Sequence, residues 1–261
     1  AGLATAAVGP AAVLAFDAVS YGYLAIMAGT AKVDKSVGRQ RAPIPLRRTA
    51  RTLRGHPELL GLLALSFVFY LLYGPIEVAV PVFVDDHLGG DPTALGWIWG
   101  AFGVGAVIGA LITGTLQRLR LWPVALAIVA GWGLVVLPLA AFGTLAAGIV
   151  GFALGGLIYA PYGPVSITLL QKTAPVDELA SLSALRSAVL VVAGPVGAAV
   201  AGPLVAGFGA AATIWVSGLA TVGLAVLGTL VVVVVRLRRA ATNRQEPGVQ
   251  PRSMELAEQE A

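Results

Sequence analysis

Seven stretches of mostly apolar residues, each longer than 20 and each bounded by charged or turn-forming residues, dominate this sequence. A bilayer core about 30 Å thick is crossed by ~20 residues of helix, and a helix is the open structure that satisfies its own backbone in lipid. The stretches run from Pro10 to Thr30, Leu59 to Val84, Ala94 to Leu116, Trp122 to Phe142, Thr144 to Leu170, Ser183 to Gly207 and Ala210 to Val235. Only 11% of the 261 residues are charged, against roughly a quarter in soluble chains. The chain therefore reads as an all-α integral membrane protein of about seven spans, with the bilayer as its first partner.

The basic residues give the spans a direction, because loops kept in the cytoplasm are rich in Lys and Arg. The segment 31–58 holds Lys32, Lys35, Arg39, Arg41, Arg47, Arg48, Arg51 and Arg54. Two spans later come Arg118 and Arg120, then Lys172, then Arg236, Arg238 and Arg239. The intervening connections carry neither Lys nor Arg, and the first of them carries Asp85, Asp86 and Asp91. This alternation predicts the C-terminus inside and 31–58 as a basic cytoplasmic linker. Within it, Leu46 to Leu53 reads as a plain positive-inside stretch or as a basic amphipathic segment lying on anionic headgroups. Residues 237–261 read as a disordered tail. Residues 1–8 read as the end of an earlier span. With the linker inside, the first complete span would enter from the outer face, so the expectation is a chain whose upstream spans are missing. A true N-out start is the alternative.

Other function classes find little material. There is no cysteine, and His56 and His87 fall outside the apolar runs without helically spaced ligand partners, so neither metal nor cofactor is expected. The charge of +4 is explained by membrane topology and implies no nucleic acid. No nucleophile–base arrangement accompanies the serines, so an enzyme is not expected.

Ionisable groups within lipid are costly and mark function or a paired structural site. Glu77 lies about 9 Å from mid-span toward the outer surface at 1.5 Å per residue. It reads either as a group favoured in its neutral form and able to carry a proton, or as a carboxylate reaching the headgroups. Asp17, near mid-span, is a second proton candidate, although pairing with a neighbouring helix fits it better. Arg186, one turn inside a span that starts at Ser183, is expected to snorkel to the headgroups.

Transmembrane tyrosines usually sit at the headgroup belts, yet Tyr70 and Tyr159 fall near the centres of their spans. Tyr70, Tyr73 or Gly74, and Glu77 share one helix face, as do Tyr159, Tyr162 and Ser166. The two stripes suit a central, partly wet pathway for a small-molecule substrate, or else tyrosines bonded to backbone carbonyls. Small residues that let helices approach closely occur at Gly96, Gly100, Gly105, Gly109, Gly194, Pro195 and Gly197. Gly105-Ala106 and Gly109-Ala110 recur 92 residues on as Gly197-Ala198 and Ala201-Gly202, which suggests an inverted three-plus-three repeat.

Three segments resemble the major facilitator superfamily of transporters, bacterial drug and siderophore exporters in particular: Asp17-Ala18-Val19-Ser20-Tyr21; Gly74-Pro75-Ile76-Glu77 through Gly89-Gly90 with Phe102-Gly103-Val104-Gly105; and Leu169 to Lys172 with Gly194-Pro195-Val196-Gly197. The resemblance implies the end of the fifth and the whole sixth span in 1–30, an interdomain linker in 31–58, and the C-terminal six-helix bundle in 59–236. It further implies that two six-helix halves rock about a mid-membrane site, often with proton coupling, and that the N-terminal half is a partner absent from this chain. Gly114 to Arg120 lacks the aspartate of the family's inner-loop signature. The expected function is proton-coupled efflux of small amphipathic molecules from a bacterial inner membrane. A metabolite uptake carrier and a non-transporting scaffold or fragment are the alternatives.

Overall fold

The computed structural model describes residues 10–30, 46–90 and 92–245. The segments expected to be the end of an earlier span, most of the linker and the final part of the tail lie outside the described residues, as does the side chain of Asp17. The described chain forms α1 (Pro10–Thr30), α2 (Leu46–Gly55), α3 (Pro57–His87), α4 (Pro92–Leu116), α5 (Leu121–Val135), α6 (Leu137–Phe142), α7 (Leu145–Tyr159), α8 (Tyr162–Thr173) and α9 (Leu179–Gln245).

Five helical segments among the described residues are long and apolar enough to cross a membrane: Pro57–His87, Pro92–Leu116, Leu121–Phe142, Leu145–Thr173 and Leu179–Arg238. The last spans 60 residues and is interrupted at Gly209, whose φ of 81° only glycine tolerates readily, so it supplies two spans. α1 has the bounds of the first expected span.

Proline and glycine set the interruptions. Pro138 offers no N–H to the carbonyl four residues back, and the third segment breaks between α5 and α6. Pro161 and Pro164 break the fourth at Ala160 and Pro161, between α7 and α8. A left-handed Gly143 ends α6, and Thr144 Oγ1 then accepts the Ala147 N–H at 3.3 Å to start α7, so two residues suffice to reverse the chain.

The sequence expectations shift in three places. α9 begins at Leu179, four residues before the expected start of its span. It also runs to Gln245, so residues 237–245 are helical where a disordered tail was expected; the Ala, Arg and Gln in that stretch are good helix formers. The basic stretch in the linker becomes α2, which docks on the bundle rather than lying free. Thr49 is buried, and Arg48 donates to Asp177 Oδ2 and to Glu178 Oε1, the latter at 3.0 Å.

The core is built from Leu59, Phe69, Ile76 and Phe83 of α3, Ile98 of α4, Val129 and Trp132 of α5 and Ile214 of α9. Outside it, apolar side chains face outward without cover: Leu111 is 79% exposed, and Val104, Val107 and Val191 are also bare. Such a surface is compatible with hydrocarbon as solvent. The basic connections gather at one end. His56, Pro57 and Thr173 line one small hollow there, and Pro57, Trp122 and Arg236 line an adjoining groove.

Candidate functional site

The two tyrosine stripes meet. Tyr73 stacks on Tyr159 with centroids 5.3 Å apart, and Tyr70 stands edge-on to Tyr159 at 6.2 Å. Phe69 packs on Tyr162 at 4.7 Å. The cluster continues through Trp132 of α5, 5.4 Å from Tyr73, to Phe102 of α4 at 5.8 Å from Trp132. Tyr70, Tyr73 and Tyr159 are half-buried, Tyr162 and Ser166 are buried, and Glu77 is exposed, one turn beyond Tyr73 on the same face. Sequence reasoning misses Trp132 and Phe102. An aromatic ring near the middle of a span, the signal that marks the tyrosines, applies to Trp132 as well.

Below this aromatic layer, toward the basic end, side-chain hydrogen bonds join α8 to two other helices and to the turn after α4. Tyr162 OH and Ser66 Oγ of α3 share one at 2.9 Å. Gln117, just past α4, donates Nε2 to Thr168 Oγ1 at 3.1 Å. Arg186 of α9 donates Nη2 to Ser166 Oγ at 2.5 Å. Arg186 does not snorkel: it is 7% exposed and bound inside the bundle. The reason lies in the earlier start of α9. Counted from Leu179, Arg186 is two turns into the helix, about 10 Å instead of the ~5 Å implied by a start at Ser183.

A second regularity underlies the two stripes. Tyr70-Leu-Leu-Tyr73-Gly74-Pro75-Ile76-Glu77 recurs 89 residues later as Tyr159-Ala-Pro-Tyr162-Gly163-Pro164-Val165-Ser166. The repeat is plain in the sequence once this offset is tried, and Glu77 and Ser166 occupy equivalent places in it.

Glycine seams hold the stripe-bearing helices against their neighbours. A Cβ on Gly105 would overlap the Ala153 carbonyl oxygen, one on Gly109 the Leu157 carbonyl oxygen, and one on Gly156 the Phe102 carbonyl oxygen, so α4 and α7 touch backbone to backbone. On the other side, a Cβ on Gly197 would overlap the Leu71 carbonyl oxygen, and one on Gly74 would stand 2.5 Å from the Ala198 nitrogen and 2.8 Å from the Gly194 oxygen. The carbonyls of Leu71 and Leu157 are the ones that Pro75 and Pro161 leave without a helical N–H donor. In both seams a glycine faces the freed oxygen, Gly197 that of Leu71 and Gly109 that of Leu157, where any side chain would collide with it. Gly100 and Gly194 have open space at their Cβ positions, so the close approach expected at a missing side chain is not found there within the bundle.

A groove of about 570 Å³ lies elsewhere, between Gly61 of α3, Trp122 of α5 and Leu227 of α9, and none of the stripe residues line it. No group of three or more His, Cys, Asp or Glu able to hold a metal occurs among the described residues.

Comparison with known proteins agrees with this architecture. The chain is 28% identical over 212 residues to the multidrug efflux pump Tap of Mycolicibacterium fortuitum, covering 80% of this chain and 51% of that protein. It is 26% identical over 157 residues to an uncharacterised MFS-type transporter of Sinorhizobium fredii, covering 57% of this chain and 38% of the relative. The chain thus spans about half the length, or less, of these two relatives. No solved structure matches significantly. Residues 62–257, which take in most of the bundle and nearly all of the tail, match the sequence profile of the Major Facilitator Superfamily. The chain is therefore a member of the Major Facilitator Superfamily, a family of membrane transporters and not of enzymes.

Proposed function

We propose that the chain supplies one half of a proton-coupled exporter of small amphipathic molecules. In this reading it works by alternating access against a second six-helix half, in a bacterial inner membrane with the basic end and the C-terminus in the cytoplasm. The observation that carries it is the meeting of Tyr70, Tyr73 and Tyr159, all half-buried, with an exposed carboxyl at Glu77 one turn away. Aromatic faces with polar hydroxyl edges accept varied apolar solutes, and a carboxyl at the rim can take up a proton as the solute leaves. The name of the Mycolicibacterium relative supports efflux as the direction.

Glu77 is the proton carrier of this half in the proposal, and Asp17 the second candidate. The test is Glu77→Gln in the full-length protein in everted vesicles. Substrate movement driven by a pH gradient should be lost, while exchange between substrate on the two sides, which needs no net proton transfer, should persist. Wild-type pH-driven transport in the variant would remove Glu77 from the mechanism.

A further inference from the structure

Arg186 is a buried cation with no acidic partner among the described residues. Its own helix holds no carboxylate over Leu179–Gln245, and Glu178, in the turn just before it and eight residues away, accepts from Arg48. Glu77, the repeat-equivalent of Ser166, sits beyond the aromatic layer on α3. The Ser166 hydroxyl spends its one proton on the Gly163 carbonyl at 2.9 Å and offers Arg186 Nη2 only a neutral lone pair. Nε, the neighbouring donor on the guanidinium fork, is buried without a partner. A guanidinium held by one neutral hydroxyl, two turns inside a membrane-spanning helix, carries a large desolvation cost that only an anion offsets well. Its planar fork matches a carboxylate.

We propose that Arg186 is an anion-binding residue that takes the carboxylate of a transported solute, with Ser166 as the residue that positions it. The inference rests on the transporter reading and deepens it, since it names a chemical class that the tyrosine stripes alone do not. The aromatic layer adjoins the network through Tyr162, whose hydroxyl bonds Ser66 and whose ring packs on Phe69. An aromatic acid would set its ring against this layer and its carboxylate on Arg186. Ser166 and Tyr162 are closed off in this structure, so entry of the solute requires α8 to move relative to α3 and α9, as a change of access does.

The full-length protein purified in detergent provides the test, with benzoate as probe, benzamide as its neutral counterpart and chloride as the simple anion. Binding is read by isothermal titration. Wild type should bind benzoate at least about tenfold more tightly than benzamide, the range expected of a hydrogen bond to a charged group, and chloride should not compete at equal concentration. Arg186→Gln should erase the preference, Arg186→Lys should keep part of it, and Ser166→Ala should weaken benzoate alone. Failure of wild type to prefer benzoate, competition by chloride, or an unchanged preference in Arg186→Gln overturns the proposal. Should Arg186→Gln not fold, equal benzoate binding by wild type, Arg186→Lys and Ser166→Ala overturns it as well. Vesicle transport separates this from the efflux reading: benzoate binding without movement of any solute argues against transport and leaves the anion subsite standing.

Discussion

The two copies of the Tyr-x-x-Tyr-Gly-Pro segment share four residues and divide the work between them. In the first copy, on α3, the helix runs unbroken through Pro75, Gly74 is pressed against α9, and the eighth residue, Glu77, is exposed. In the second, Pro161 adds a break, Gly163 meets open space, and the eighth residue, Ser166, is buried on Arg186. One extra proline and one change from Glu to Ser separate a copy that packs through its glycine from a copy that builds a polar junction. Repeat symmetry thus fixes where the pieces go, and local chemistry decides what each piece does.

The sharpest way to break this comparison is to give both glycines a methyl group. Gly74→Ala places its Cβ 2.5 Å from the Ala198 nitrogen and 2.6 Å from the Gly197 carbonyl carbon, and backbone cannot swing aside as a side chain can. The expected cost is about 3 kcal/mol, as for severe overpacking. Gly163→Ala meets nothing within 4 Å and should be neutral or slightly stabilising. Thermal unfolding in detergent reads both, and equal effects at the two positions would end the claim that the copies play different parts.

A smaller effect is expected at the polar junction. Tyr162→Phe leaves Ser66 Oγ buried without its partner and should cost about 1–2 kcal/mol, and Ser66→Ala should cost a similar amount by orphaning the tyrosine hydroxyl. The double variant should cost less than the sum of the two, because the unsatisfied groups vanish together. Additive effects would mean that the bond contributes nothing.

Much of this architecture is legible in the sequence. Charge falls where helices leave lipid, and apolar run lengths match the bilayer, so the spans emerge from counting alone. The tyrosine stripes emerge because a hydroxyl at mid-depth is anomalous whatever surrounds it. Arg186 reads too shallow in the sequence because its depth depends on where the helix starts, and Glu178, Ser181 and Ser183 interrupt the apolar pattern and hide a start at Leu179. Gly74 shows in sequence only as part of a Gly-Pro break; that it meets Gly197 depends on which helices cross, and spacing within one helix carries no such information. Gly105 and Gly109, by contrast, point the same way from one helix and both lie in a seam.

The smallest expected effect concerns the turn that comes after the second copy. Arg48 reaches from α2 to Asp177, which is 63% exposed, and to Glu178, which is 6% exposed. Screening weakens the first contact, so Asp177→Asn should change stability by no more than a few tenths of a kcal/mol, the low end for exposed pairs. Glu178→Gln removes a buried charge and a well-formed bond together, and the two changes partly cancel. Arg48→Gln should cost most of the three, about 1 kcal/mol, because it strands the Glu178 carboxylate. Added salt should abolish the Asp177 effect and leave most of the Arg48 effect in place. If about 1 M salt, where screening acts within a few ångströms, removes both alike, the Glu178 carboxylate is reached by water and α2 is not seated on the turn that leads into α9 and Arg186.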